Sequence, residues 1–177
     1  MKNFFSFVWE TLKIVILALA IVLPIRYFIF QPFIVKGESM EPNFHQGNYL
    51  IIDEISYRFR EPARGEIIVF KYPYNPSQRY IKRIIGLPGE TVEIKDKQIL
   101  IFSQDGQETI LEESAYLPET DLTFGNLRMT LAEGEYFVMG DNRPSSSDSR
   151  SWGFLPKKNI IGKVLFRLLP FNAVNRY

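Results

Sequence analysis

One stretch near the start of this 177-residue chain restricts its fold before anything else: from Ile14 through Ile25 it reads IVILALAIVLPI, with no polar side chain. As a helix, twelve residues at about 1.5 Å each reach about 18 Å, short of a hydrocarbon core of about 30 Å. The segment spans a bilayer only if it runs from about Thr11 to Phe30, with Lys13 and Arg26 snorkelling outward and Trp9 and Tyr27 at the interfaces. Three other placements compete. A helix buried in a soluble core should show a polar face, and this one shows none. A cleaved export leader should show small residues just past its apolar core, whereas RYFIFQPF follows here and Ala18-Leu19-Ala20 lies inside the run. A helix lying in the membrane interface is the third. The residues favour an uncleaved anchor. Lys2, Lys13 and the terminal amine direct its N-terminus to the cytoplasm by the positive-inside tendency. The chain after about residue 30 then lies on the outer side of the membrane.

Composition removes several chemistries. Lys+Arg 21 against Asp+Glu 20, with no basic run, gives no electrostatic reason to expect nucleic acid as partner. The absence of cysteine rules out thiol catalysis, thiolate zinc sites and disulfides. A lone histidine, His45, rules out metal sites that need two or three imidazoles. A single histidine points to a base of another residue type without removing His45 as one.

From Phe33 onward, short runs of β-formers alternate with turn residues. The pattern predicts strands near Phe33–Val35, Tyr49–Ile55, Glu66–Tyr72, Arg79–Ile85, Thr91–Ile94, Gln98–Phe102, Glu135–Met139 and Ile160–Leu168. Gly86-Leu87-Pro88-Gly89 reads as a strong turn and Lys95-Asp96-Lys97 as a hairpin tip. Ser103–Thr130 is polar and irregular, an excursion from the core or a small subdomain. The expected organisation is mainly β: an N-terminal transmembrane helix over 1–31, then one β-rich domain over 32–177 with the excursion at 103–130.

Four clusters carry candidate chemistry. Gly37-Glu38-Ser39-Met40-Glu41-Pro42 reads either as a plain β-turn or as a strand exit that exposes the Ser39 hydroxyl beside free backbone N–H groups. In Arg79-Tyr80-Ile81-Lys82-Arg83-Ile84-Ile85, strand alternation puts Lys82 on one face with Tyr80 and Ile84. A lysine there either protects a sheet edge or is buried. Burial disfavours the ammonium, and lowering its pKa from about 10.4 to about 7–8 makes it a usable general base for a serine hydroxyl. Gly140-Asp141-Asn142-Arg143 through Asp148-Ser149-Arg150 reads as a solvated loop by composition. Yet it runs into Trp152-Gly153-Phe154, whose rings favour docking on a core. An ordered loop could bring a serine to Lys82 and pair Asp148 with Arg150. Arg64-Gly65-Glu66, opening an apolar strand, reads as structural.

These four segments, in this order, resemble the boxes of the bacterial type I signal peptidases, membrane-anchored Ser/Lys endopeptidases. The resemblance runs from the apolar segment to about residue 165 and implies largely antiparallel, coiled sheets. It implies Ser39 as nucleophile, Lys82 as general base, and Ser146 as the residue that orients the lysine, with Asp148 and Arg150 pairing to hold that loop. The implied substrates are signal peptides of exported preproteins, with small residues at the first and third positions before the cut. A substrate bound as an added strand would send alternate side chains into two shallow pockets, for which Phe33, Val35, Met40, Tyr80 and Ile81 are the candidate lining. No metal or organic cofactor is needed, because nucleophile, base and oxyanion donors all come from the protein; the lipid bilayer is the other expected partner.

One departure stands out. Many members of that family carry a serine two positions before the nucleophile, where its hydroxyl helps form the oxyanion hole; here the position is Gly37. The family also commonly has threonine after the proline, where this chain has Asn43. Two other classes remain open on sequence: a Ser/Lys self-cleaving regulator of related β architecture, and an anchored module that binds exported chains without cutting them. A Ser39/His45 pair is a third mechanism, one that a separation of six residues in a turn disfavours.

Overall fold

The computed structural model describes residues 2–28, 30–118, 122–169 and 175–176, with side chains for 4, 6–22, 32–118 and 122–168. The apolar N-terminal segment forms one helix, α1 (Lys2–Phe28), and every described side chain on it is exposed. Among the described residues no helix is long and apolar enough to cross a membrane. The expected span of Thr11 to Phe30 is two residues too long, since α1 ends at Phe28 and Phe30 opens a strand; the side chains of Arg26 and Tyr27 lie outside the described residues.

The helix leads into β1 (Phe30–Ile34), followed by β2 (Tyr49–Asp53), β3 (Ile67–Tyr72), the long β4 (Asn75–Gly86), β5 (Thr91–Lys95) and β6 (Gln98–Phe102). Next come β7 (Glu108–Ile110), β8 (Leu127–Thr130), β9 (Glu135–Met139), the single-turn α2 (Ser149–Trp152), β10 (Leu155–Pro156), β11 (Ile160–Leu169) and β12 (Asn175–Arg176). An eight-stranded sheet runs β1-β2-β11-β3-β4-β9-β10 with β12 beside β11, and a four-stranded sheet runs β7-β6-β5-β8. Every strand pairing is antiparallel.

The unbroken apolar runs of the central strands arise because both faces are buried. Along β3, Ile67 and Val69 join a core with Leu50, Ile52 and Ile81, while Ile68 and Phe70 join another with Ile84, Val138 and Trp152. Along β9, Tyr136 and Val138 face that second core and Phe137 and Met139 face a third, formed with β5 and β6. Period-two alternation therefore distributes one strand between two cores. Lys82, on the same face as Tyr80 and Ile84, is carried into this apolar setting by the register that fixes its neighbours.

Each of the eight predicted strands is present, with ends shifted by a few residues; β4 starts four residues earlier than Arg79 and β2 stops at Asp53. Asp96 and Lys97 form the two-residue hairpin tip between β5 and β6, both with positive φ (50° and 67°), the geometry that matches strand twist. The 103–130 segment is more ordered than its composition suggests. It supplies β7 and β8 to the small sheet. β7 is short and fully exposed, so it offers no hydrophobic alternation to read; Leu127 and Met129 of β8 do alternate, but over only four residues.

Candidate active site

After β1 the chain leaves the sheet in a loop closed at its base by a reciprocal backbone pair: Val35 N–H donates to Asn48 O at 3.0 Å and Gly47 N–H to Val35 O at 2.9 Å. Met40 and Phe44 anchor the loop in the core, and between them lies the cis peptide Glu41–Pro42. With Met40 pointing inward, its neighbour Ser39 is turned toward the surface of a cleft of about 590 Å³. Across from it, Lys82 of β4 is 3% exposed, and its Nζ donates to Ser39 Oγ at 2.5 Å. The face of Tyr80 lies 5.5 Å from the same nitrogen.

Burial pulls the Lys82 pKa down to about 8 from 10.5; Asp148 and Asp141 oppose the shift by favouring the ammonium, and Arg150 adds to it. The cause is the one expected for an ammonium removed from water. A neutral amine on this line is an acceptor for the Ser39 proton.

The loop between β9 and β10 packs directly on the serine. Asn142 N–H donates to Ser39 O at 3.1 Å and Asn142 Nδ2 to Glu38 O at 3.1 Å. Gly140 is required by this close approach: a Cβ on it would lie 2.3 Å from Ser39 O and 2.2 Å from Ser146 Oγ. Ser146 Oγ is buried against that glycine and has no hydrogen-bond partner among the described residues, so its bond to Lys82 is not made here. Asp148 caps α2 and is fully buried. Its carboxylate accepts from Arg150 Nε and Nη2, both at 2.8 Å, and from Gly140 N–H at 3.1 Å.

The structure also brings in residues to which the sequence reading assigned no role. Arg83, on the opposite face of β4 from Lys82, makes a two-pronged pair with buried Asp141 at 2.9 and 2.6 Å and stacks over Tyr116 at 3.9 Å. Asn43, one of the two departures from the family pattern, donates to Asp141 at 2.8 Å and to Tyr116 O at 2.7 Å. A buried arginine beside a candidate lysine was the available signal, but a sequence does not say which carboxylate meets it. Gly37 lines the cleft with φ +82°, a left-handed conformation that glycine adopts freely and serine does not.

Of the expected lining, Phe33, Tyr80 and Ile81 face the cleft. Val35 and Met40 do not: they are 1% and 0% exposed and belong to the core, because the turn after β1 rolls them inward. His45 is exposed and pairs with Glu41 at 3.2 Å. Arg64 and Glu66 tie turns together, Arg64 to Glu90 at 2.5 Å and Glu66 to Arg60 at 2.5 Å. Trp152 docks on a core as expected, whereas Phe154 remains 44% exposed.

Comparison with known proteins gives this constellation a family. Residues 8–169 match the family described as signal peptidase, peptidase S26. The chain is 40% identical over 172 residues to a probable signal peptidase I-1 of Synechocystis sp., covering 93% of this chain and 84% of that one. It is 37% identical over 174 residues to a signal peptidase I of Bacillus licheniformis (95% and 92% covered). It is 35% identical over 170 residues to signal peptidase I T of Bacillus subtilis (93% and 86% covered). With the match running from α1 into β11 and enclosing the serine, the lysine and the loop that packs on them, the chain belongs to the signal peptidase family, peptidase S26.

Proposed function

We propose that this protein is a membrane-anchored serine endopeptidase that cleaves signal peptides from exported preproteins through a Ser39 nucleophile and a Lys82 general base. The observation that carries the reading is the 2.5 Å contact between Lys82 Nζ and Ser39 Oγ at the floor of an open cleft, made by a lysine whose burial favours the neutral amine. In the reaction, neutral Lys82 takes the Ser39 proton as Oγ attacks the scissile carbonyl carbon. The resulting ammonium then protonates the leaving amine, which departs as the new N-terminus. Water next attacks the Ser39 ester, giving one proton to Lys82, which passes it to Ser39 Oγ as the C–Oγ bond breaks; the signal-peptide acid leaves as its carboxylate, its remaining proton going to solvent. The Ser39 N–H is an oxyanion donor; Gly37 supplies no side chain for that task. Ser146, carried by the same loop, is the residue assigned to orient the Lys82 amine, and Asp148 with Arg150 holds that loop.

Substrate binds as an added strand. Among the described residues β1 is a sheet edge and β4 has no partner opposite β3 until its pairing with β9 begins at Arg83, so two free backbone edges flank the cleft. Phe33, Tyr80 and Ile81 leave room there for small side chains at the first and third positions before the cut. The anchor is α1, ending at Phe28 rather than at 31 as the sequence suggested, because Phe30 and Gln31 already pair with β2; the chain from β1 onward is the peptidase domain outside the membrane. Supporting this, α1 exposes apolar side chains all round, Ile14 and Leu17 among them, a surface suited to lipid. The test is processing of a preprotein by the wild type and by Ser39→Ala and Lys82→Met. Loss of product in both is expected, and cleavage surviving either change overturns the assignment.

A further inference from the structure

The dyad chemistry uses nothing from residues 103–130, yet that excursion reaches back to the site at one point. Arg143, in the loop that packs on Ser39, has a side chain only 1% exposed. Its Nη1 and Nη2 donate to the two Glu113 carboxylate oxygens at 2.8 and 2.5 Å, Nη1 also donates to Thr123 Oγ1, and Nε donates to Gly140 O at 3.1 Å. The Arg143 carbonyl accepts from Arg150 Nη2 at 2.6 Å, which joins the Asp148–Arg150 pair to the same residue. Glu113 is itself held by Tyr116, whose hydroxyl donates to it at 2.6 Å. Tyr116 supports the Arg83 guanidinium with its ring, at 3.9 Å, and accepts Asn43 Nδ2 on its carbonyl.

The segment from Glu113 to Tyr116 therefore touches three pieces of the site: the serine loop through Asn43, the lysine strand through Arg83, and the β9–β10 loop through Arg143. A brace serving stability alone would gain as much from apolar packing, since buried ion pairs seldom outperform it. What this one adds is direction. It fixes Gly140, and the Gly140 backbone sets how Ser39 O and Ser146 Oγ lie relative to each other with no slack for even a methyl group.

We propose that Glu113 is a positioning residue for peptide cleavage, acting through Arg143 to hold the Gly140–Ser146 loop against Ser39 and Lys82. It touches no reacting atom. Misplacing a reacting group by about 1 Å can cost about 100-fold in rate, so the effect belongs in kcat.

This inference rests on the Ser39/Lys82 reading, and the experiment separates the two. The full chain in detergent is assayed on a peptide with alanine at the first and third positions before the cut, kcat and KM being measured separately at a temperature where circular dichroism shows every variant folded. Glu113→Gln is expected to lower kcat by about 10–100-fold with KM changed less than about threefold. Tyr116→Phe, which leaves every charge in place, should lower kcat by a smaller factor and serves if Glu113→Gln does not fold. Arg143→Met and the Glu113→Gln/Arg143→Met double variant should be equally impaired, because the two side chains act as one unit. Unchanged kcat in Glu113→Gln overturns the proposal, as does a loss confined to KM or losses that multiply in the double variant. If Glu113→Gln does not fold, unchanged kcat in Tyr116→Phe does so. Ser39→Ala and Lys82→Met run beside them, and product from either overturns the dyad itself.

Discussion

Replacing Lys82 by methionine should abolish cleavage and, at neutral pH, make the protein more stable. The folded pKa of about 8 lies well below the 10.5 of an exposed lysine. Below pH 8 both the folded and the unfolded chain carry the proton, and the fold bears the full cost of a buried ammonium. From the shift that cost is about 3 kcal/mol. Between about pH 8 and 10.5 only the unfolded chain keeps the proton, so stability rises with pH and the cost fades. Methionine is of similar length and carries no charge. It loses the hydrogen bond to Ser39, worth about 1 kcal/mol. Asp148 and Asp141 keep their partners Arg150 and Arg83, so no carboxylate is stranded. The net expectation at pH 7 is a gain of about 2 kcal/mol, or about 4–8 °C in Tm for a chain of this size. At pH 10.5 the gain should be gone. The assay is urea denaturation of wild type and Lys82→Met in detergent across pH 7 to 10.5. A difference that does not vary with pH, or a variant destabilised at pH 7, would refute the claim that Lys82 is held desolvated.

Gly140→Ala should inactivate the enzyme although both dyad side chains remain in the chain, since its Cβ would have to displace the Ser39 carbonyl, which lies 2.3 Å from where it would sit; peptide cleavage at wild-type kcat would contradict that packing. Asp141→Asn leaves the buried Arg83 charge without a carboxylate and should cost about 3–5 kcal/mol, read as a lower urea midpoint. His45→Ala should leave kcat/KM within about twofold, because the imidazole is exposed on Glu41.

The strands of the large sheet were legible because their residues are apolar on a two-residue period or buried on both faces. The burial of Lys82 was one of two readings open to a lysine flanked by Tyr80 and Ile84, and the structure decides for it and sets its amine on Ser39, while the roles proposed for the two residues came from the family resemblance. Val35 and Met40 were misplaced, because proximity to Ser39 in sequence does not tell which way a turn rotates its side chains. The brace from Glu113 to Arg143 was invisible for a different reason. It joins residues 30 apart across two sheets, and an isolated glutamate in a polar stretch carries no mark of the arginine that will cover it.

The pH dependence of kcat/KM for peptide cleavage reads the protonation of Lys82 itself, since it reports the free enzyme's base. With Lys82 as that base, the rate should rise about tenfold from pH 7 to pH 9 with a midpoint near 8, following the fraction of neutral amine. A rate flat over this range, or a midpoint near the 6.5 typical of histidine, would contradict it.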